Sequence, residues 1–447
     1  MTIPVQGPVE GTAGPPRSRR ALVAGSVGNF IEWYEFGVYG YFATIIAANF
    51  FTPDGASEAE ALVRTYASFA LAFFFRPVGA AVFGRLGDRI GRRPTLITVV
   101  LLMTAATTLI GLLPTYDTVG AAAPWLLTLL RVVQGLSAGG EFGGAVSVMT
   151  EFAPPGRRGV YGSWQSFTVA LGLLAGAGMA ALPATVLSES ALADWGWRLP
   201  FLLALPLGLA ALWLRLRLEE TPSFRRTARA QDPAVPGAPQ PVPVATAPAR
   251  EVARAIALGA GRLMGWSAAG YTFLVVLPSY LQNTLDTTFQ QALVATVVAN
   301  LGFAASIVPA GALSDRIGRR AVMVAGAVLV AVLAFPLLHL LQDPGASTAA
   351  KGVAVFAAGA VVGLMAGPGP AMLAEMFPTS ARYTGLGLAY ALSNAVFSGC
   401  AGLVITEAIK RTGDADIPAY YVVVTCAVST LALLTLRGDD HRRALRD

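Results

Sequence analysis

The chain has 447 residues, 55% of them hydrophobic and only 13% charged, with a formal net charge of +6. Its mean hydropathy is +0.60 and its pI about 9.5. These proportions exclude an ordinary soluble domain and describe an integral membrane protein; a basic balance would also suit nucleic acid, but the arginines follow membrane topology instead.

A transmembrane helix needs about 20 apolar residues. About twelve such runs are predicted, separated by charged or Pro/Gly-rich breaks, so the fold class is all-α membrane protein. Residues 1–20 are polar and read as a tail. The basic residues before Ala21 resemble the start of a signal peptide, but the apolar run continues for roughly thirty residues, beyond a typical signal core, so an uncleaved first helix is expected. Span 1 runs from about Ala21 to Phe50 and carries Glu32 and Glu35 on one helical face. An acid at bilayer depth costs several kcal/mol and marks a functional site by default.

An acidic loop (Asp54, Glu58, Glu60) leads to span 2, from about Leu62 to Phe83, with Arg76 and Pro77 inside it and GRLGDRIGRR (Gly84 to Arg93) at its end. Span 3 covers about Pro94 to Leu113, and span 4 about Trp125 to Met149, with Arg131, Gln134 and Glu141. After EFAPPGRRG (Glu151 to Gly159), span 5 covers about Tyr161 to Leu182 and span 6 about Pro200 to Leu214. From Glu219 to Glu251 the composition turns to Pro, Ala and charge, an extended linker. Six further spans are predicted near 255–280, 288–312, 321–341, 352–374, 383–409 and 418–436. The resulting units are a tail at 1–20, a six-helix half at 21–217, a cytoplasmic linker at 218–253, a second six-helix half at 254–437 and a tail at 438–447.

Of the 32 Lys and Arg, 24 fall in the tails and in alternate loops, five on the other side and three (Arg76, Arg131, Arg262) within spans. That asymmetry places both termini in the cytoplasm. GRLGDRIGRR recurs as GALSDRIGRR (Gly311 to Arg320), identical at eight of ten positions and displaced by 227 residues. Glu151, Pro154 and Arg158 recur as Glu375, Pro378 and Arg382, displaced by 224. Two motifs at nearly one displacement, both on the cytoplasmic side, imply a duplicated half related by an axis along the membrane normal. Cys400 and Cys426 lie in late apolar segments and His339 and His441 are the only histidines, so neither a disulfide framework nor a metal site is expected. No GxxxxGKS or GxxxxGKT loop is present, which argues against a nucleotide. No cofactor is expected.

The loop motif at Gly84, Asp88, Arg89, Gly91, Arg92 and Arg93 resembles that of the major facilitator superfamily. GNFIEWYEF in span 1, FFFRPVGAAVFGRLGDRIGRR in span 2, RVVQGLSAGGEFGG in span 4, WGWRLPF before span 6 and AEMFPTSAR after span 10 narrow it. Together they resemble the metabolite:proton symporter family, over about Ala21 to Arg437. That resemblance implies twelve helices in two halves and uptake of proline, betaine, 2-oxoglutarate, citrate, shikimate or a similar metabolite. One departure is Glu35, where members usually carry Asp. The GPxxGG signature of drug/proton antiporters is missing from span 5, ALGLLAGAGMA.

Proton coupling needs a carboxyl whose proton affinity its surroundings can move. Glu32, Glu35 and Glu141 are the candidates, with Arg131 as counter-charge, supported by the RxxQGxxxG setting that the resemblance links to coupling; the alternative is a static buried ion pair. Arg76 either grips a substrate carboxylate through a forked pair of hydrogen bonds or pairs with Glu32 or Glu35. Arg262 is similar, or snorkels to the interface. Trp33, Tyr34, Tyr39 and Tyr41 offer cation–π faces to a quaternary ammonium, or serve as packing. Gln165, Asn300 and Asn394 hydrogen-bond substrate or neighbouring helices.

The paired loops are expected to form a cytoplasmic gate of Gly84, Asp88, Arg89, Gly91, Arg92, Arg93, Asp315, Arg316, Arg319 and Arg320. Glu151, Arg158, Glu375 and Arg382 join it, with Asp88 and Asp315 capping neighbouring helix N-termini. The expected protein is a proton-coupled importer of a small organic anion or zwitterion, not an enzyme, acting as a monomer in the cell membrane without nucleic-acid partners. A ligand sensor without flux and an uncoupled facilitator stand as alternatives. The span-12 stretch IPAYYVVV is similar to compatible-solute carriers, while the end at Asp447 is an expectation against osmosensing, not against betaine transport.

Overall fold

The computed structural model describes residues 15–52, 57–90, 92–139, 141–151, 153–216, 249–377, 379–438 and 442. All regular structure among them is helical. Eight helical stretches are long and apolar enough to cross a membrane, and two shorter apolar ones, Ile97–Leu112 and Ala122–Ala138, lie in spans 3 and 4.

The first half comprises span 1 (Pro15–Tyr41, then Ala43–Phe50), span 2 (Glu58–Ile90), span 3 (Arg92–Leu112), span 4 (Ala122–Ala138, then Glu141–Glu151), span 5 (Arg158–Val186) and span 6 (Arg198–Leu202, then Ala204–Leu216). In the second half, span 7 covers Ala249–Tyr271 and Leu277–Leu285, span 8 Phe289–Ile317 and span 9 Arg319–Gln342. Span 10 covers Thr348–Ala366 and Gly369–Met376, span 11 Thr379–Ser393 and Ala401–Thr412, and span 12 Ile417–Leu434. Spans 7 and 11 each contain a π-helical turn, at Thr272–Val276 and Asn394–Gly399.

Two helix starts differ from the hydropathy boundaries. Span 1 begins at Pro15, inside the stretch read as tail, and span 7 at Ala249, inside the stretch read as linker. Arg is a good helix former, so Arg17, Arg19 and Arg20, like Arg250 and Arg254, extend a helix past the point where apolarity stops. The rest of the expected linker, 218–248, lies outside the described residues.

Helix pairing repeats between the halves. Spans 2 and 4 pack together as spans 8 and 10 do, and spans 1 and 5 as spans 7 and 11 do. The halves then meet most extensively where span 5 packs against span 8 and span 2 against span 11. Closest approach in the first half falls where a Cβ at Gly135 would land on the Ala72 carbonyl and one at Gly139 on that of Arg76. Such contact lets the backbones of spans 2 and 4 touch, and brings Arg76 and Arg131 onto one packed face. Large aromatic residues (Phe36, Phe69, Phe73, Tyr66) fill the centre, while Val353, Val424 and Leu431 are exposed on the outside, the distribution a lipid-facing surface needs.

Candidate functional site

Glu32 and Arg76 face each other between spans 1 and 2, Nη2 standing 3.3 Å from Oε1, with both side chains buried. The contact is an ion pair not aligned as a hydrogen bond, and Arg76 Nε also has no acceptor among the described residues. Aromatic faces hold the cation in place. The guanidinium carbon lies 4.2 Å from the Phe73 ring centre, 4.3 Å from Phe36 and 5.4 Å from Trp33. At these separations the ring quadrupole attracts a cation most when water is excluded.

A small cavity opens on this pair, lined by Asn29, Glu32, Trp33, Arg76, Ala138, Gly139, Phe142, Gly387, Tyr390 and Ala391, and so shared by both halves. Its free volume is about 10 Å³, close to the roughly 10–15 Å³ that one water requires. Phe142 of span 4 stacks on Tyr390 of span 11 at 3.4 Å, with Trp266 6.0 Å from Tyr390.

Glu35, one turn further on, is fully buried and belongs to a different network. The Thr107 hydroxyl donates to Glu35 Oε2 at 2.8 Å, Gln134 Nε2 donates to Thr107 Oγ1 at 2.6 Å, and Arg131 Nη1 donates to Gln134 Oε1 at 2.6 Å. Span 4's arginine thus reaches span 1's acid through one amide and one hydroxyl. Arg131 is fully buried and lies 4.1 Å from the Tyr39 ring centre and 4.9 Å from those of Phe36 and Phe69. Its Nε and Nη2 have no acceptor among the described residues.

The other predicted binding residues divide. Trp33 lines the cavity and lies 6.2 Å from Tyr271. Tyr34 points away, donating to the Pro200 carbonyl at 2.8 Å, and so ties span 1 to span 6. Tyr39 bonds Ser68 at 2.5 Å while its ring supports Arg131. Gln165 Nε2 donates to Asn29 Oδ1 at 3.5 Å, one step behind the cavity wall. Asn300 Nδ2 reaches the Tyr41 hydroxyl at 3.5 Å across the two halves. Asn394 bonds within span 11, to the Tyr390 carbonyl and from Ser398. Arg262 lies with span 12, donating to the Ala432 carbonyl at 3.3 Å and Thr435 at 2.8 Å, apart from the cavity residues. The side chain of Glu141 lies outside what the structure describes.

At the arginine-rich end, Asp315 accepts from the N–H groups of Gly159 at 2.7 Å and Val160 at 2.9 Å. These are the first turn of span 5, where a carboxylate meets both orphan donors and the positive end of the helix dipole. Arg319 joins Asp315 at 2.7 Å and Glu375 at 3.1 Å, and Arg158 lies 3.5 Å from Glu375. Gly318, at φ 99°, makes the turn that carries Arg319 back over span 8, a backbone state glycine adopts without strain. Arg320 donates to the Leu436 carbonyl, Arg382 to that of Ala374, and Arg316 is exposed. The side chains of Asp88, Arg89, Arg92, Arg93 and Glu151, the surroundings of Gly84 and the position of Gly91 lie outside what the structure describes.

The opposite end is also held together. Thr44 donates to Gln282 at 3.1 Å, Tyr66 and Ser279 are 2.7 Å apart, and Phe42 lies 5.5 Å from Phe289. Contacts across the halves are thus present at both ends, beside a water-sized cavity that both halves line.

Four residues of this site were not singled out from sequence: Thr107, Gln134 as a link, Phe142 and Tyr390. Gln134 sits in RxxQG and carried a signal. Thr107 stands beside Thr108 and near Thr104 in an apolar helix, and no pattern distinguishes it.

Residues 21–235 match the family described as sugar (and other) transporters, and residues 260–446 match the major facilitator superfamily. The chain is 35% identical over 431 residues to a proline/betaine transporter of Escherichia coli K12, covering 95% of this chain and 84% of that one. It is 34% identical over 432 residues to a glycine betaine/proline/ectoine/pipecolic acid transporter of Dickeya dadantii, covering 95% and 84%. An ectoine/proline transporter of Corynebacterium glutamicum is 34% identical over 442 residues, covering 96% and 86%. Among solved structures, a D-xylose-proton symporter superposes with a TM-score of 0.72 at 19% identity, over 94% of this chain and 97% of that one, which establishes the fold alone. The chain belongs to the major facilitator superfamily, within the metabolite:proton symporter family whose motifs it carries.

Proposed function

We propose that the chain is a symporter coupling proton entry to uptake of a small zwitterion of the proline and betaine type. It acts by alternating access across the cell membrane, as a monomer, with the arginine-rich end and both termini in the cytoplasm. The observation that carries this reading is the Glu32–Arg76 pair on the wall of a cavity shared by the halves. A zwitterion brings one cation and one carboxylate, so it can take each partner's place for the other. Its carboxylate goes to the Arg76 guanidinium, where a forked pair of hydrogen bonds is available. Its ammonium goes to Glu32 and the faces of Trp33, Phe142 and Tyr390. The net charge of the buried site stays the same, so binding adds little to a desolvation cost the pair already bears. Cargo of that size requires the halves to separate, which is the alternating-access step.

Glu35 is the proton acceptor in this reading, with Arg131 as its distant counter-charge. The relatives, named as carriers of proline, betaine or ectoine, support the cargo class. An organic anion is the second reading, supported by the nitrogens of Arg76 and Arg131 that have no hydrogen-bond acceptor among the described residues.

The test is uptake into proteoliposomes under an imposed pH gradient, screening proline, glycine betaine, 2-oxoglutarate, citrate and shikimate with and without a protonophore. Proline or betaine accumulation that the protonophore abolishes is expected. Accumulation of the dicarboxylates alone moves the cargo to the second reading. Binding without accumulation sinks the carrier, and equilibration without accumulation sinks coupling.

A further inference from the structure

The geometry points to Thr107 as the positioning residue of the proton step, a hydroxyl whose single hydrogen turns from Glu35 to the Met103 carbonyl when Glu35 takes up its proton. This rests on the reading of Glu35 as proton acceptor.

The hydrogen-bond inventory forces the arrangement. A guanidinium has donors only, so the Gln134 atom 2.6 Å from Arg131 Nη1 is the carbonyl oxygen. Gln134 Nε2 therefore faces Thr107 and donates to its oxygen at 2.6 Å. Thr107 Oγ1 then has one hydrogen and one lone pair left. Two acceptors lie within reach of that hydrogen, Glu35 Oε2 at 2.8 Å and the Met103 carbonyl at 3.0 Å.

With Glu35 ionised, the hydrogen goes to the carboxylate, since a charge-assisted bond is the stronger one. When a proton from solution forms an O–H bond at Oε2, that new donor needs an acceptor along the same line. Thr107 supplies its remaining lone pair once its own hydrogen has turned to Met103. No covalent bond of Thr107 breaks, and Gln134 and Arg131 keep their partners in both states. A buried acid that must hold two protonation states in turn thereby meets a fully bonded partner in each. Hydroxyl rotation suffices, with every heavy atom in place.

Among the described residues, the charged or titratable groups around this link are Tyr34, Glu32 and Tyr39 on span 1, Arg76 on span 2, Arg131 on span 4 and Tyr271 on span 7, with Arg198 of span 6 bonded to the Gly111 and Leu113 carbonyls at the end of span 3. Span 3 brings none within Ile97–Leu112. On that helix it is Thr107 that bonds Glu35 directly.

Thr107→Val keeps the shape and removes both roles, whereas Thr107→Ser keeps both. The measurement is the pH profile of uptake into proteoliposomes for wild type and both variants, beside exchange at symmetric pH. The carboxylate loses a donor in the valine variant, so the alkaline limb of its profile moves upward by about one pH unit or more; exchange persists, and the serine variant follows wild type. If the valine variant does not insert, Thr107→Cys, a weak donor, takes its place with a smaller move in the same direction. A coupled wild type with unmoved valine or cysteine profiles overturns the role of Thr107. A wild type indifferent to the pH gradient overturns the proton reading itself, a separate result.

Discussion

Asp315 and Gly159 belong to opposite halves, 156 positions apart, yet the aspartate oxygen lies 2.7 Å from the glycine N–H. The same carboxylate also meets Val160 and Arg319, so one side chain caps span 5 and anchors a charge network between the halves at the arginine-rich end.

Asp315→Asn keeps the shape and removes the charge that suits a helix N-terminus. A negative charge at a helix N-terminus is worth about 0.3–1 kcal/mol, enough to change a two-state ratio by up to about fivefold. The population should move toward the form open at the arginine-rich end, and a cysteine placed at Ser163, beside Gly311, should label faster. Unchanged labelling, or loss of substrate binding in an inserted protein, contradicts a gate role.

For the Glu32–Arg76 pair, Arg76→Gln leaves a buried carboxylate beside a neutral amide, a loss of about 3–5 kcal/mol. Adding Glu32→Gln should recover part of that loss while leaving transport absent. Thermal unfolding in detergent reads the first effect and uptake the second. Additive losses in the double variant would mean the two side chains are not coupled.

Much of this was legible in the sequence, for identifiable reasons. Arginine placement and the repeat at Gly84 and Gly311 expose the two halves because lipid and cytoplasm impose separate compositions. Asp315 was readable as a cap because its motif spacing sets it at a helix end. The Arg76–Glu32 contact was one of two readings, and the choice between them depended on how spans 2 and 4 pack at Gly135 and Gly139. Tyr34 and Arg262 carry the same chemical signals as Trp33 and Arg131, but helix rotation turns one to Pro200 and the other to span 12. Thr107 was hidden because threonines in apolar helices commonly bond their own backbone, as Thr107 also does to Met103.

A pH-dependent tie is expected at the end away from the arginine-rich loops. Partial burial of Asp416 works to raise its carboxyl pKa, but the bonds from Gln342 at 2.9 Å and His339 at 3.1 Å outweigh it and hold the carboxyl below the ordinary range. A lowered folded-state value contributes stability above the unfolded carboxylate value, which is lost as pH falls through the folded one. The thermal-stability advantage of the native chain over Asp416→Asn should therefore be present above the carboxylate range and vanish in strong acid. An advantage that persists unchanged to about pH 3, below the ordinary Asp value near 3.9, would remove this tie.

The central claim is that Glu35 carries the proton. Its most direct test is accumulation of proline or glycine betaine in proteoliposomes under an acid-outside gradient, for wild type and Glu35→Gln, beside exchange at symmetric pH. The wild type is expected to concentrate substrate and the glutamine variant to exchange without concentrating it. Equal accumulation by both would contradict the account.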